Sequence, residues 1–382
     1  MTVSIWHADD TQPIREVDFL VIGGGIIGCT VAYFAAQMGR GVVITEMRDI
    51  ALGASGRNAG FMITGPDTYY HHAIDKHGHA ATREIWDISQ KTHTYWRFFA
   101  ERHAVPLTNS GSLLLAESED EAADLLIAAR MMERDGIPIE YLSSDPLQRG
   151  YHAAIRQPFD GAVHPVRLAQ AVFAESGAEM VTNNEVYAIH QESPDSVWVY
   201  SRLYRFHARH VMLCTNAYSA LIEPYFVGKV IPTRGQVLAT APLKESVLPT
   251  CGYSDYGYMY YRETFDGRLL IGGGRKQNKP LENDTTDDRT TDPVQRTLEA
   301  YLKERFPEVD APIERRWAGI MGFSLDGLPL VGVLPEKPNV GFAVGFTGHG
   351  LALGAATAER AVERLLKGVR AGVVDSARLD GR

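Results

Sequence analysis

The apolar positions change their period along the chain, and each change marks an element. Asp18 is followed by a continuous apolar run, Phe19-Leu20-Val21-Ile22, which stops at three glycines. Such a run reads as a strand buried on both faces. Ile27, Val31, Phe34, Ala35 and Met38 then recur at helical spacing until Gly39 closes the segment, and Val42-Val43-Ile44 leads to Glu46. A strand, a helix and a strand therefore fill 17–46. Helical spacing returns over 82–103 (Ile85, Ile88, Tyr95, Phe98, Phe99), over 119–135, and over 165–177 with Pro165 in the first turn. Strand-like runs fall at 111–116, 179–181, 197–200 and 211–217. From Lys229 the pattern turns to β, at 236–240, 256–262 and 269–273. The polar, charged stretch 276–291 reads as a surface loop. Asp292 as N-cap and Pro293 at the next position then open a helix running to about Phe306. An alternating strand at 314–320, short runs at 328–333 and 340–344, a glycine-rich loop and a helix over 351–366 close the chain. This order predicts an α/β fold with α+β inserts: a unit made of 1–80, 145–225 and 325–382, interleaved with a β-rich unit made of 81–144 and 226–324.

The glycines after the first strand are spaced G-x-G-x-x-G, at Gly23, Gly25 and Gly28. In a dinucleotide-binding βαβ unit the first permits the tight turn, the second lets the backbone approach a pyrophosphate, and the third lets helix and strand pack closely. The unpaired amides that open the helix, at Ile26 and Ile27, and its positive dipole end suit the phosphates. Glu46, followed by Met47, stands at the end of the second strand, where a carboxylate accepts hydrogen bonds from ribose hydroxyls. A glycine turn that merely joined strand to helix would leave Glu46 unexplained. Thr215 ends another buried strand in small polar residues and is a further candidate contact.

Composition narrows the picture. At 382 residues the chain suits two domains, and 45% hydrophobic with 22% charged residues is ordinary for a globular protein. A net charge of −9 argues against nucleic acid as the main partner. No apolar run is long enough to span a bilayer, and 1–16 lacks the basic-then-apolar order of a secretory signal. Cys29, Cys214 and Cys251 are too far apart for a metal site or a disulfide framework, so no metal is expected, and a reducing cytoplasmic location fits. Nothing in the sequence specifies an oligomeric state.

Two further motifs join the first. One is Gly267-Arg268-Leu269-Leu270-Ile271-Gly272-Gly273, preceded by Tyr258-Met259-Tyr260-Tyr261-Arg262. The other runs from Trp317-Ala318-Gly319 through Asp326-Gly327-Leu328-Pro329-Leu330-Val331-Gly332 to Gly345-Phe346-Thr347-Gly348-His349-Gly350. In this order, over nearly the whole chain, they resemble the D-amino-acid-oxidase superfamily of flavoproteins, which includes glycine oxidase and sarcosine oxidase. Ala54-Ser55-Gly56-Arg57-Asn58-Ala59-Gly60 is most similar to the gamma-glutamylputrescine oxidase group. The resemblance implies FAD on the first βαβ unit and a substrate domain built from the β-rich segments. It implies that Gly23, Gly25, Gly28 and Glu46 hold the ADP half, that the backbone of Val186 meets the adenine, and that Ser55, Arg57, Asn58, Ala59 and Gly60 lie along the ribityl chain and flavin. Gly348, His349, Gly350 and Leu351 would face the pyrimidine end. There the dipole of the last helix offsets the negative charge of reduced flavin.

Alternation places Tyr256, Tyr258 and Tyr260 on one strand face. By resemblance Tyr260 lines the active site, Tyr258 stands where glycine oxidase has a histidine, and Trp317 caps the cavity or fills the core. His349 is the remaining catalytic candidate. Where glycine oxidase clamps a substrate carboxylate with arginine this chain has Met321. Where sarcosine oxidase uses lysine it has Ala352, and the cysteine that attaches flavin covalently is missing near Ile320-Met321. The FAD is therefore expected to be non-covalent. A buried carboxylate without a cation is costly, so a simple α-amino acid fits poorly unless Arg57, Arg234, Arg262 or Arg275 substitutes. The expected reaction is hydride transfer from an amine's α-carbon to flavin N5, giving an imine that water hydrolyses to carbonyl and amine, with hydrogen peroxide if oxygen is the acceptor. The alternatives are an α-amino-acid oxidase or dehydrogenase, an NAD-dependent dehydrogenase, and a non-catalytic flavin-binding protein.

Overall fold

A computed structural model describes residues 12–380. The strand Ile14–Ile22, the helix Ile26–Gln37 and the strand Val42–Thr45 form the expected opening unit. Ile14–Ile22 lies between Val42–Thr45 and Arg205–Leu213 and runs parallel to both. Arg205–Leu213 also pairs in parallel with Lys337–Val344. Glu179–Val181 extends one edge, and the antiparallel strands Val186–Ser193 and Ser196–Ser201 extend the other. The apolar run 19–22 is buried because both faces of this eight-stranded sheet are covered. Phe19 and Val21 enter a core shared with the helices Ile26–Gln37, His79–Arg102, Pro165–Ser176 and Gly350–Lys367. Leu20 and Ile22 enter a second core under the hairpin strands, with Phe206, Phe226 and Phe342.

A second eight-stranded sheet runs in the order Ile313–Ser324, Val230–Pro242, Arg268–Gly273, Met259–Glu263, Cys251–Ser254, Ser112–Leu115, Ala154–Gln157, Glu140–Leu142. The helix Asp292–Arg305 covers it through Val294, Leu298 and Leu302. Phe61–Met62, Gly161–Val163 and Leu107–Thr108 make a small third sheet. The two large sheets meet where Ile313–Ser324 ends: Phe323 bridges to Phe346, and the amide of Thr347 donates to Gly322 O at 2.8 Å. That junction brings the glycine-rich loop of one unit against the β-sheet of the other.

Three local expectations change. Tyr256 and Tyr258 are not on the strand, which begins only at Met259: Tyr256 sits in a tight turn with positive φ (54°) and turns toward Asp124, and Tyr258 closes that turn in a helical backbone conformation. The last-but-one helix is capped by Thr291, and Asp292 is already helical. Gln236 fixes this start by accepting from the Thr291 amide at 2.9 Å. The stretch 276–291 is not merely a surface loop: it folds inward through the short helix Lys279–Glu282 and buries Glu282 completely.

Candidate functional site

A cavity of about 500 Å³ runs between the first sheet and the second. Its inner end is built by the opening turn. Gly23 has a φ of +110°, open to glycine and strained for other residues, and a side chain at Gly28 would overlap the carbonyl oxygen of Gly23. A Cβ on Gly25 would stand 2.8 Å from Ser55 Oγ, which accepts from the Ile26 amide at 2.9 Å. Ser55 therefore occupies the first amide of the helix, and the next, that of Ile27, has no intrahelical acceptor. Glu46 is clamped by two amides, Gly24 at 2.7 Å and Arg48 at 2.9 Å, which leave further lone pairs on both oxygens. Met47, Val186 and Thr215 line the same end.

Farther along, Ser55, Arg57, Asn58 and Ala59 line the wall. Asn58 donates to the carbonyls of Ala54 and Ser55 and accepts from the Gly60 amide at 2.8 Å, so it holds this turn in shape. Arg57 donates to Asp288 at 2.5 Å and to Ala318 O at 3.0 Å, tying the wall to the second sheet. On the opposite side Gly348, His349, Gly350 and Leu351 line the cavity where Gly350–Lys367 starts. His349 Nδ1 bonds Thr347 O at 3.0 Å, so its ring belongs to the loop's own hydrogen bonding. The first amides of a helix have no intrahelical acceptor, and here they face the cavity. Two helix N-termini therefore aim at one space.

The second sheet supplies aromatic residues. Tyr260 lines the cavity, and its hydroxyl bonds none of the described residues. Burial pushes that hydroxyl up to about 12, while the positive charge of Arg275 acts the other way. Tyr253, on the neighbouring strand and paired with Tyr260, also lines the cavity, with ring centroids 5.8 Å apart and Phe61 5.1 Å from Tyr253. Tyr258 lines it too, with its ring under Arg275 at 5.1 Å and under Lys279 at 4.8 Å.

Three candidates do not line the cavity. Gly28 lies beneath the turn and Gly60 behind the wall, its carbonyl accepting from Val163 and Arg262. Trp317 donates its indole N–H to Arg57 O at 2.9 Å and so braces the wall from outside. Of the four arginines considered for a carboxylate, Arg234 pairs with buried Glu282, Arg262 lies buried against Phe265 and the carbonyls of Glu263 and Gly60, and Arg57 holds Asp288. Arg275 alone of these lines the cavity without a carboxylate partner among the described residues. Met321 and Ala352 are both in the lining.

Sequence reasoning missed Asn216 and Tyr253. Asn216 has a positive φ (45°), and its Oδ1 accepts from the Gly345 amide at 2.9 Å, fixing the glycine-rich loop to the end of the first sheet. A small polar residue just after a buried strand was its only signal. Tyr253 lies in a four-residue strand, too short for alternation to show. One grouping of metal-ligating types occurs among the described residues, His71, His72 and Asp124, with ligand atoms within 4.8 Å of one another. Asp124 Oδ1 lies 3.6 Å from His71 Nε2, and its Oδ2 accepts from the Tyr256 hydroxyl at 2.8 Å.

The signature of the family described as DAO, FAD dependent oxidoreductase, matches residues 18–364. The chain is 28% identical to a protein of Escherichia coli (strain K12) named gamma-glutamylputrescine oxidoreductase, covering 92% of this chain and 84% of that protein. It is 27% identical to a glycine oxidase of Bacillus licheniformis, covering 92% and 94%. Its fold is similar to that of L-proline dehydrogenase from P. horikoshii, with a TM-score of 0.80 at 23% identity, covering 96% and 98%.

Proposed function

Because this chain belongs to the DAO family of FAD-dependent oxidoreductases, we propose that it oxidises the C–N bond of a small-molecule amine. FAD, when bound, supplies the hydride acceptor that turns the amine into an imine, which water hydrolyses to carbonyl and amine. The residues present fit FAD: a helix N-terminus beside Gly25 and Ser55 whose Ile27 amide has no intrahelical acceptor, a two-amide clamp on Glu46, and a second helix N-terminus beyond them. In this reading the Ile27 amide takes a phosphate beside Ser55, which holds the Ile26 amide, Glu46 takes the ribose, and the backbone of Val186 the adenine. Ser55, Arg57, Asn58, Ala59 and Thr215 border the rest, and the amides of Gly348–Leu351 stabilise negative charge at the far end of the ring system. The first sheet and its helices form the cofactor unit, and the second sheet forms the substrate face.

The observation that carries the amine is a free Tyr260 hydroxyl in an aromatic wall, with no cation beside the glycine-rich loop. At neutral pH Tyr260 is a protonated phenol, because burial holds it near 12. It orients a neutral amine by one hydrogen bond, and the aromatic faces of Tyr253 and Tyr258 exclude water around it. Met321 and Ala352 place no cation beside the glycine-rich loop. The similarity to a glycine oxidase favours a second reading, an α-amino acid, which those same two residues oppose.

Anaerobic mixing of the FAD-loaded protein with aliphatic amines, glycine, sarcosine and D-amino acids tests the choice. Amines are expected to bleach the flavin faster. Faster bleaching by α-amino acids gives the second reading, and bleaching by none removes C–N oxidation. Tyr260→Phe is expected to lower kcat/KM about tenfold to a hundredfold, the worth of one buried hydrogen bond, with FAD content unchanged. Unchanged kinetics would take Tyr260 out of the site. We also place the protein in the cytoplasm. No helix of the described residues is long and apolar enough to cross a membrane, and the three cysteines are free and buried, with the Cys29 thiol pushed up to about 12 by burial.

A further inference from the structure

We propose that His71, His72 and Asp124 form a site for a divalent transition-metal ion of the zinc class, apart from the cavity that holds FAD. The histidines belong to the helix Tyr70–His77 and the aspartate to the helix Glu119–Arg134, and the three offer ligand atoms within 4.8 Å of one another. His71 is buried, at 8% exposure, and its ring is poorly satisfied. Nδ1 has no hydrogen-bond partner among the described residues, and Nε2 stands 3.6 Å from Asp124 Oδ1, longer than a hydrogen bond. A buried polar group left in this way calls for a further partner, such as an ion. The spacing suits one: two ligands of a tetrahedral ion, each about 2.1 Å from it, lie about 3.4 Å apart. Two imidazoles and a carboxylate are a donor set for zinc, nickel or copper, whereas calcium and magnesium take oxygen ligands.

The surroundings hold the carboxylate in place. The Tyr256 hydroxyl donates to Asp124 Oδ2 at 2.8 Å and leaves Oδ1 to the ion, as an outer hydrogen bond orients a metal ligand. Tyr256 reaches Asp124 from a turn in which two consecutive residues other than glycine, Asp255 and Tyr256, have positive φ (50° and 54°). Such strain persists only where the surroundings over-determine it, and it concentrates at functional sites. Here the Tyr256 amide donates to Glu121 Oε1 at 2.6 Å, and Lys276 pairs with Asp255, which occupies the cation nearest the turn. Asp75, exposed and one helical turn after His71, adds negative charge to the same helix face. His72 packs its ring 3.9 Å from that of His71. An ion at this point ties the two helices together beside Tyr69 and Tyr256, which line the cavity with ring centroids 5.3 Å apart. Asp124 comes from a different helix than the histidines, so no ligand spacing in the sequence marks the site.

Calorimetric titration of the FAD-loaded protein, freed of metals by a chelator, with zinc chloride tests this without any turnover. One ion per chain is expected to bind, with a rise in melting temperature that follows the same saturation. His71→Ala, His72→Ala and Asp124→Ala are each expected to abolish that binding. Tyr256→Phe, which removes only the outer hydrogen bond, is expected to weaken it about 10- to 100-fold. His152→Ala, a change of an exposed histidine elsewhere, is expected to leave it unchanged. No saturable zinc binding, magnesium binding as tightly as zinc, binding that any of the first four variants leaves undiminished, or an equal loss in His152→Ala would each overturn the proposal. Should the buried His71→Ala variant fail to fold, His72→Ala and Asp124→Ala, which change partly exposed side chains, still decide.

Discussion

Tyr260 and His93 are both aromatic residues with a polar tip, and their surroundings give them opposite work. Tyr260, a site candidate in the sequence from its distance before Gly267, lines the cavity. Tyr256 had strand alternation in its favour, yet a positive-φ turn carries it away from the strand, and only the backbone path reveals that. His93 is a core residue, 2% exposed on the helix His79–Arg102, with Nε2 unpartnered. Burial, with the charge of Arg97 adding to it, lowers its pKa from 6.5 to about 3. Between those values the unfolded chain binds a proton that the folded protein refuses, so the associated stability is present above 6.5 and lost as pH falls toward 3. His93→Leu is therefore expected to lose less melting temperature than the native protein between about pH 7.5 and about pH 5. Parallel losses in the two proteins would show that His93 is not the group responsible.

At the scale of the element, the opening strand–helix–strand unit was almost fully readable, because its apolar run, glycine spacing and terminal acid are all local. Its helix begins at Ile26 directly behind Gly25, as the spacing predicts. Gly28 shows why that spacing is strict: it does not touch the cavity, but any side chain there meets the backbone of Gly23. Gly28→Ala is expected to push the turn away from the first strand and reduce bound FAD per mole of protein, with a stability loss of about 1–3 kcal/mol from overpacking. Full FAD content and an unchanged urea midpoint would contradict this. The second sheet was less readable. Its strands come from 112–115, 140–142, 154–157 and the region beyond 230, and pairing between segments so distant leaves no periodic trace.

At the scale of the whole molecule, the segment 276–291 is the instructive one. Its composition is that of a solvated loop, yet Glu282 is fully buried and accepts from Arg234 Nε at 2.9 Å, from Gln236 at 2.9 Å and from Thr291 at 3.0 Å. The network pins the segment against the second sheet, and Asp288, farther along it, reaches Arg57 on the cavity wall. Arg234→Ala would leave a buried carboxylate without its cation, at a cost of about 3–5 kcal/mol in urea unfolding. Arg234→Met combined with Glu282→Leu should recover most of that, since replacing a buried pair by apolar groups is often neutral. A single variant as stable as the native protein would mean that Glu282 is not the buried anion described.

The sequence alone determined the first βαβ unit and the dinucleotide class of cofactor it serves. These follow from glycine spacing and hydrophobic period, which act between residues a few positions apart. Tertiary structure decided which cations remain free. Arg57, Arg234, Arg262 and Arg275 are equivalent as letters, and only the fold gives Glu282 and Asp288 to two of them, buries the third against carbonyls and leaves Arg275 facing the cavity. A charge is neutralised by what lies near it in space, and the pairing of Arg234 with Glu282 or of Arg57 with Asp288 spans 48 and 231 residues of chain.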